Sequence, residues 1–211
     1  MSSHRVPVAV ALLLVACGCS SQPTTASPAA SNTTTGATGP TGPASAAPSP
    51  RGHPTEFNPP GDIPDNQVFV DYRMPQTSLH IRVPEGWARS GTDPVVFTDH
   101  FNSIALSVRA AARPPTVASA HASEVPGLRA QVARFARPAV RTVQRQHGRA
   151  VLITYLLDSA PDRVTGKVVR DAAERYEFWR RGQEAVLTLT GPRNADNVDP
   201  WRLVSDSLRW R

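Results

Sequence analysis

From Val6 to Pro50 the chain carries no charged residue, and that stretch limits what the remainder of its 211 residues can become. Its first part, Val6 to Ala16, is an apolar run behind one basic residue, Arg5. The run is about half of the roughly 20 residues that a membrane-crossing helix needs, so it reads as a secretory signal and not as a span. After Gly18 the residues are mostly Ser, Thr, Ala, Pro and Gly. Such a composition buries too little apolar surface to offset the entropy of ordering, and it reads as a tether. Ten prolines between residues 18 and 64 stiffen it, giving a reach from roughly 40 Å as coil to 140 Å when extended. From Asp65 onward about 145 residues remain, the size of one ordinary domain with one core.

The only cysteines are Cys17 and Cys19, both at the head of the tether. The folded part therefore contains no disulfide, no zinc thiolate site and no cysteine nucleophile, and must stand on apolar burial. Leu14-Val15-Ala16-Cys17 ends the apolar run with a small residue before a thiol, and resembles the lipobox of bacterial lipoproteins. The resemblance implies diacylglyceryl transfer to Cys17, cleavage before it and N-acylation, which together would hold the protein on the outer face of the cell membrane. Cys19 lacks the aliphatic residue expected three positions earlier. The expected organisation is a signal peptide over 1–16, a lipidated cysteine and disordered tether over 17–64, and a globular domain over 65–211. Thr33-Thr34-Thr35 and their neighbours are of the type that carries O-linked sugars in similar envelope lipoproteins.

Twenty-two arginines accompany a single lysine, Lys167, a bias that points to a GC-rich actinobacterial genome. Without Arg5 the mature chain holds 22 basic and 17 acidic residues, a net charge of about +5 that favours anionic lipid head groups or phosphorylated glycans. Export argues against nucleic acid as a partner. The surplus is concentrated: between Gly127 and Leu157 lie Arg129, Arg134, Arg137, Arg141, Arg145 and Arg149 with no carboxylate. On a strand, Arg141 and Arg145 share a face with Val143. With Arg134 and Arg137 they form a candidate ridge for anions or partners, or they pair with Glu174 or Glu177 on a neighbouring strand.

Beyond Asp65, aromatic and β-branched residues alternate with polar ones in short runs, the pattern of half-buried strands. Such runs end at Met74, Val83, Thr98 and Arg109. Thr116 caps a helix through Ala122, Pro126-Gly127 breaks it, and Leu128, Val132 and Phe135 recur at helical spacing. Strands follow over 140–146, 150–158, about 164–179 and 185–190. Asp199 as N-cap and Pro200 as first helical residue open a closing helix with Trp201, Val204 and Leu208 on its apolar stripe. The fold class expected is α+β, a mostly antiparallel sheet with helices on both faces.

Several segments carry a further resemblance: Leu79-His80-Ile81-Arg82-Val83-Pro84-Glu85-Gly86-Trp87, Val95-Val96-Phe97, Arg175-Tyr176-Glu177-Phe178, Leu187-Thr188-Leu189-Thr190-Gly191-Pro192 and Asp196-Asn197-Val198-Asp199-Pro200-Trp201. Over about residues 66–211 the chain resembles actinobacterial lipoproteins of the LpqN type, which share the PsbP-like α/β/α sandwich. The resemblance implies a non-enzymatic envelope module that acts by binding, associated with envelope-lipid machinery.

The residues themselves advertise little chemistry. No two histidines stand at the i, i+4 spacing of a helical zinc site, and no metal or cofactor is expected. Asp99, His100 and Ser103 supply triad residue types without a Gly-x-Ser-x-Gly elbow, so Asp99 reads as the start of a turn. Asp171 and Glu177 point opposite to Glu174 on a strand, and with Arg170 and Arg175 beside them they read as solvated ion pairs. Trp87, Trp179, Trp201 and Trp210 would line a pocket only if a groove stays open between sheet and helix. The function expected is therefore a lipid-anchored binding or accessory module for envelope proteins or anionic lipids. An envelope hydrolase and a carrier of a small apolar ligand are the alternatives.

Overall fold

The computed structural model describes residues 59–211. Cys17, the signal and the tether as far as residue 58 lie outside the described residues. In chain order the elements are strands β1 (Phe69–Arg73), β2 (Leu79–Pro84), β3 (Ala88–Ser90), β4 (Val95–Thr98) and β5 (Ser103–Ala110), helices α1 (Val117–Ser119) and α2 (Val125–Gln131), strands β6 (Ala136–Arg145), β7 (Gly148–Asp158), β8 (Arg170–Arg180) and β9 (Gln183–Pro192), helix α3 (Val198–Ser207) and strand β10 (Arg209–Trp210).

Seven strands form one sheet in the order β3-β4-β5-β9-β8-β7-β6, every neighbouring pair antiparallel. Strict alternation gives it two apolar faces. Leu152, Tyr176, Phe178, Leu187, Leu189, Ile104 and Leu106 face one way, against Trp201, Val204 and Leu208 at the end of the chain. Val151, Ile153, Tyr155 and Ala173 face the other, against Ala120 and Val125 of the helical segment, with Leu128 and Phe135 alongside. The fold is thus α+β, a mostly antiparallel sheet with helices on both faces.

Three details differ from the sequence reading. First, β1, β2 and β10 form a separate three-stranded sheet in the order β1-β2-β10. Leu79, Ile81 and Val83 of β2 are buried in the first core, whereas Arg82 between them is exposed. A strand with one apolar face can lie face-on over the core, and does not need to join the edge of the larger sheet. The last residues add to it as a strand, with Arg209 opposite His80.

Second, Pro126 does not break the middle helix. Between α1 and α2 the backbone widens into a π-turn over Ala120–Glu124, and the Val125 N–H reaches back to the Ala120 carbonyl. Pro126 falls in the first turn of α2, where its missing N–H leaves no intrahelical bond unmade. The helix then stops at Gln131, so Val132 and Phe135 pack on the sheet from outside it.

Third, α3 begins at Val198 with Asn197 as its N-cap, two residues before Asp199. Asn197 makes no side-chain cap bond because its amide is used elsewhere: Oδ1 accepts from the Ile63 N–H at 2.8 Å, and Nδ2 donates to the Gly61 carbonyl and to Asn102 Oδ1. The chain is therefore already built into the core before Asp65, with Ile63 buried. Gly191 passes so close to Asn102 that a Cβ there would meet its Oδ1.

Candidate functional site

Arg137, Arg141 and Arg145 of the candidate ridge lie on β6, an edge strand of the large sheet, and Arg134 just precedes it. Arg134 and Arg137 flank the irregular start of that strand, both with positive φ. Arg134 pairs with Asp158 at 3.4 Å. Arg137 and Arg141 are exposed and make no ion pair among the described residues. Arg145, half-buried at the far end, donates to Ser205 Oγ at 3.0 Å and to the Tyr176 hydroxyl at 2.7 Å, with its guanidinium over that ring. Tyr176 in turn donates to Glu174 Oε2 at 2.6 Å. Burial, and then the neighbouring Glu174, hold the Tyr176 hydroxyl above its ordinary pKa. Arg145 therefore reaches Glu174 through a tyrosine. The ten residues of β6 span about 33 Å, so the four side chains do not meet at one point.

Unspent positive charge does gather at one end of the large sheet. A pocket of about 300 Å³ opens there between the β6–β7 turn, the end of β8 and β10, lined by His147, Arg149, Arg180 and Arg209 with the indoles of Trp179 and Trp210. None of its lining residues is a carboxylate. Arg180 donates to the Trp210 carbonyl at 2.8 Å, and Arg209 is held by Asp71 at 3.2 Å, so two of the guanidiniums are positioned. His147 and Arg149 are exposed, and their side chains make no hydrogen bond among the described residues. The indole N–H of Trp210 is buried without an acceptor. Guanidinium forks are donors whose geometry matches that of oxyanions. A larger cleft, about 630 Å³, runs beside Tyr72 and Arg89, but its Arg109 is already committed to Glu184 and Glu124.

That commitment belongs to a partly buried network under the helical layer. Arg109 bridges Glu184 at 2.9 Å and Glu124 at 2.8 Å, and Arg175 bridges Glu124 at 2.9 Å and Glu177 at 3.3 Å. These contacts raise the Arg109 pKa further. Burial alone would raise Glu124, but the two guanidiniums outweigh it and hold the carboxyl below its usual range. Glu177, 1% exposed, is pushed up to about 7 by burial and then by nearby Glu124, with Arg175 opposing. Asp171 is pushed up to about 6 by burial and by Asp158. Asp171 and Glu177 are therefore not the solvated ion pairs that strand parity suggested: the helical layer covers the face they occupy. One oxygen each of Glu177 and Glu184 is buried without a hydrogen-bond partner.

Asp99 accepts from the backbone N–H groups of Phe101 and Asn102 at 2.7 and 2.6 Å, which closes a turn. Among the described residues no group of three His, Cys, Asp or Glu side chains is placed to hold a metal ion. None of the described helices is long and apolar enough to cross a membrane.

The basic pocket went unread in the sequence because its residues come from three separate stretches, 147–149, 179–180 and 209–210. The signal available was that each stretch pairs arginine with an aromatic or histidine.

No family model matches the chain, and no curated protein matches it. Among solved structures it is similar to the solution structure of cyanobacterial PsbP (CyanoP) from Synechocystis sp. PCC 6803, at 16% identity over 72% of this chain and 98% of that one, with a TM-score of 0.43. It is also similar to the crystal structure of LpqN, involved in cell envelope biogenesis of Mycobacterium tuberculosis, at 12% identity over 69% of this chain and 91% of that one, with a TM-score of 0.42.

Proposed function

We propose that this chain is an exported, lipid-anchored module of the bacterial cell envelope that binds anionic envelope components, lipid or protein, and carries out no turnover of its own. The observation that carries the reading is the end-of-sheet pocket, where three guanidiniums, an imidazole and two indoles converge with no carboxylate among them. Exposed Arg137 and Arg141 extend the positive field along β6. The sequence supports the address: the resemblance to a lipobox implies two or more acyl chains on Cys17, and that many give stable anchoring where one is marginal. Anchoring at the membrane raises the local concentration of its targets there.

The test uses the lipid-free chain, residues 18–211, so that the anchor does not dominate. Vesicles of phosphatidylcholine doped with phosphatidylglycerol are expected to sediment it in a salt-sensitive way, and pure phosphatidylcholine vesicles are not. Replacing both His147 and Arg180 with Gln should weaken that binding about tenfold or more. Equal binding to both vesicle types, or no effect of the double replacement, defeats the reading.

A further inference from the structure

On the helical face of the large sheet, beside the partly buried charge network, a cleft of about 450 Å³ opens between residues 114–117 and strands β6, β7 and β8. Pro115, Val117, Val151 and Trp179 make its apolar wall. The indole N–H of Trp179 donates to the Ala111 carbonyl at 2.8 Å, which fixes the ring. Two charged residues line the cleft, Glu177 and Arg149. Glu177 is almost completely buried and Arg149 is exposed, so the carboxylate marks the inner end and the guanidinium the mouth.

Glu177 Oε1 accepts from Arg175, while Oε2 is buried with no partner. An unmade acceptor of this kind is costly, and in native proteins it calls for an explanation. The surrounding charges sharpen the point. Among the described residues, Glu124 from the π-turn, Glu184 from β9 and Glu177 from β8 share only Arg109 from β5 and Arg175 from β8. Three carboxylates against two guanidiniums leave one negative charge unmatched. Either a proton or a cationic donor can match it.

The second charge selects among donors. Val151 stands opposite Glu177 in the β7–β8 register, so Arg149 lies two residues along the neighbouring strand on the same face. Such diagonal positions lie about 7–8 Å apart, with their Cβ atoms somewhat closer. A cation alone would meet Arg149 at the mouth, and an anion alone would meet Glu177 inside. A small zwitterion that enters ammonium first satisfies both. We propose that this cleft binds a phosphoethanolamine head group, with its ammonium donating to Glu177 Oε2 and its phosphate accepting from the Arg149 guanidinium. The proposal uses a different pocket from the preceding reading, with only Arg149 and Trp179 bordering both.

The probe is dihexanoyl phosphatidylethanolamine below its micelle concentration, titrated into the lipid-free chain and followed by tryptophan fluorescence. Its phosphatidylcholine analogue carries the same phosphate but a nitrogen that cannot donate, so binding at any purely anionic site cancels in the comparison. The ethanolamine lipid should bind about tenfold tighter or more, and Glu177→Gln should erase the difference. The preference should also grow as pH rises through about 7, where Glu177 gives up its proton. Arg149 is exposed, so Arg149→Gln leaves the fold intact and should weaken ethanolamine-lipid binding about tenfold. Equal affinity for the two lipids overturns the proposal, as does a preference that survives Glu177→Gln or an affinity untouched by Arg149→Gln. Tighter binding of Nα-acetyl-lysine methylamide than of the ethanolamine lipid would also overturn it, giving the cleft to a lysine side chain. The phosphatidylglycerol vesicle experiment reads the other pocket, so each reading can fail alone.

Discussion

Asn102 and Asn197, 95 positions apart, are joined side chain to side chain by a 2.9 Å hydrogen bond, and both donate to the Gly61 carbonyl. With the Ile63 N–H also bound to Asn197, this buried cluster ties the start of the described chain, the β4–β5 turn and the entry to α3 into one knot. Asn197→Ala leaves the Ile63 donor without its partner and is expected to cost about 2–4 kcal/mol, read as a lower urea midpoint at unchanged slope. Gly191→Ala, which drives a methyl into Asn102, should cost about 1–3 kcal/mol. Midpoints within error of the parent would mean that the knot is not needed.

The elevated carboxyls set a pH dependence whose sign can be worked out. Glu177, ordinarily near 4.5, is pushed up to about 7, and Asp171, ordinarily near 3.8, to about 6. A raised folded-state pKa means that the native state holds the proton more tightly than the unfolded chain does. Its stabilisation is fully present below the unfolded value and is lost as pH rises through the folded one. The melting temperature should therefore increase on acidification from above pH 7 toward about 5. Below that, Glu124 and Asp162 act in reverse, since both are held under their ordinary values and lose their contribution on protonation. His80, lowered by desolvation and then by nearby Arg211, also opposes the gain below about 6.5. Glu177→Gln isolates the main contribution: it should flatten the upper part of the profile. A parent protein whose melting temperature falls steadily from pH 8 to pH 6 contradicts the assignment.

How far the sequence carried this picture depended on whether a feature was local. Alternation along Ile104, Leu106 and Val108, or along Val151, Ile153 and Tyr155, marks a strand and its buried face without reference to anything distant. The basic residues of β6 were equally plain. What failed needed knowledge of neighbours. Parity put Glu177 and Asp171 on one face, but it did not say that α1 and α2 cover that face. Arg109 stands opposite Glu184, yet 75 residues separate them, and only the strand order makes them a pair. The start of α3 was misplaced for the same reason: Asp199 is the better local cap, while Asn197 holds its position through contacts with Gly61 and Asn102.

Arg145 on the edge strand β6 is tied to the α3 side of the core through the Tyr176 hydroxyl and Ser205. Tyr176→Phe keeps the ring and its apolar contacts, but it deprives Glu174 of its donor and Arg145 of an acceptor. The expected cost is about 1–2 kcal/mol. A double-mutant cycle with Arg145→Ala should show coupling on the order of 1 kcal/mol. Strict additivity would show that the 2.7 Å contact contributes nothing to stability.

Glu124 is the clamp between the helical layer and the sheet, because its two oxygens receive Arg109 from β5 and Arg175 from β8. Glu124→Gln removes both ion pairs and, because an amide keeps only one acceptor oxygen, leaves one of the two guanidiniums without a partner there. These groups are partly exposed, so the loss should be about 1–3 kcal/mol, below the range for a fully buried pair. The loss should also be local. Amide hydrogen exchange is expected to speed up across residues 120–131 well before the strands respond, since this segment is otherwise held by the smaller of the two cores. The same substitution takes a negative charge away from Glu177, leaving Arg175 free to pull that carboxyl back toward its ordinary value, so the stability gained on acidification should shrink as well. Faster exchange with an unchanged pH profile would separate the mechanical role of Glu124 from its electrostatic one, and would place the elevation of Glu177 on burial alone.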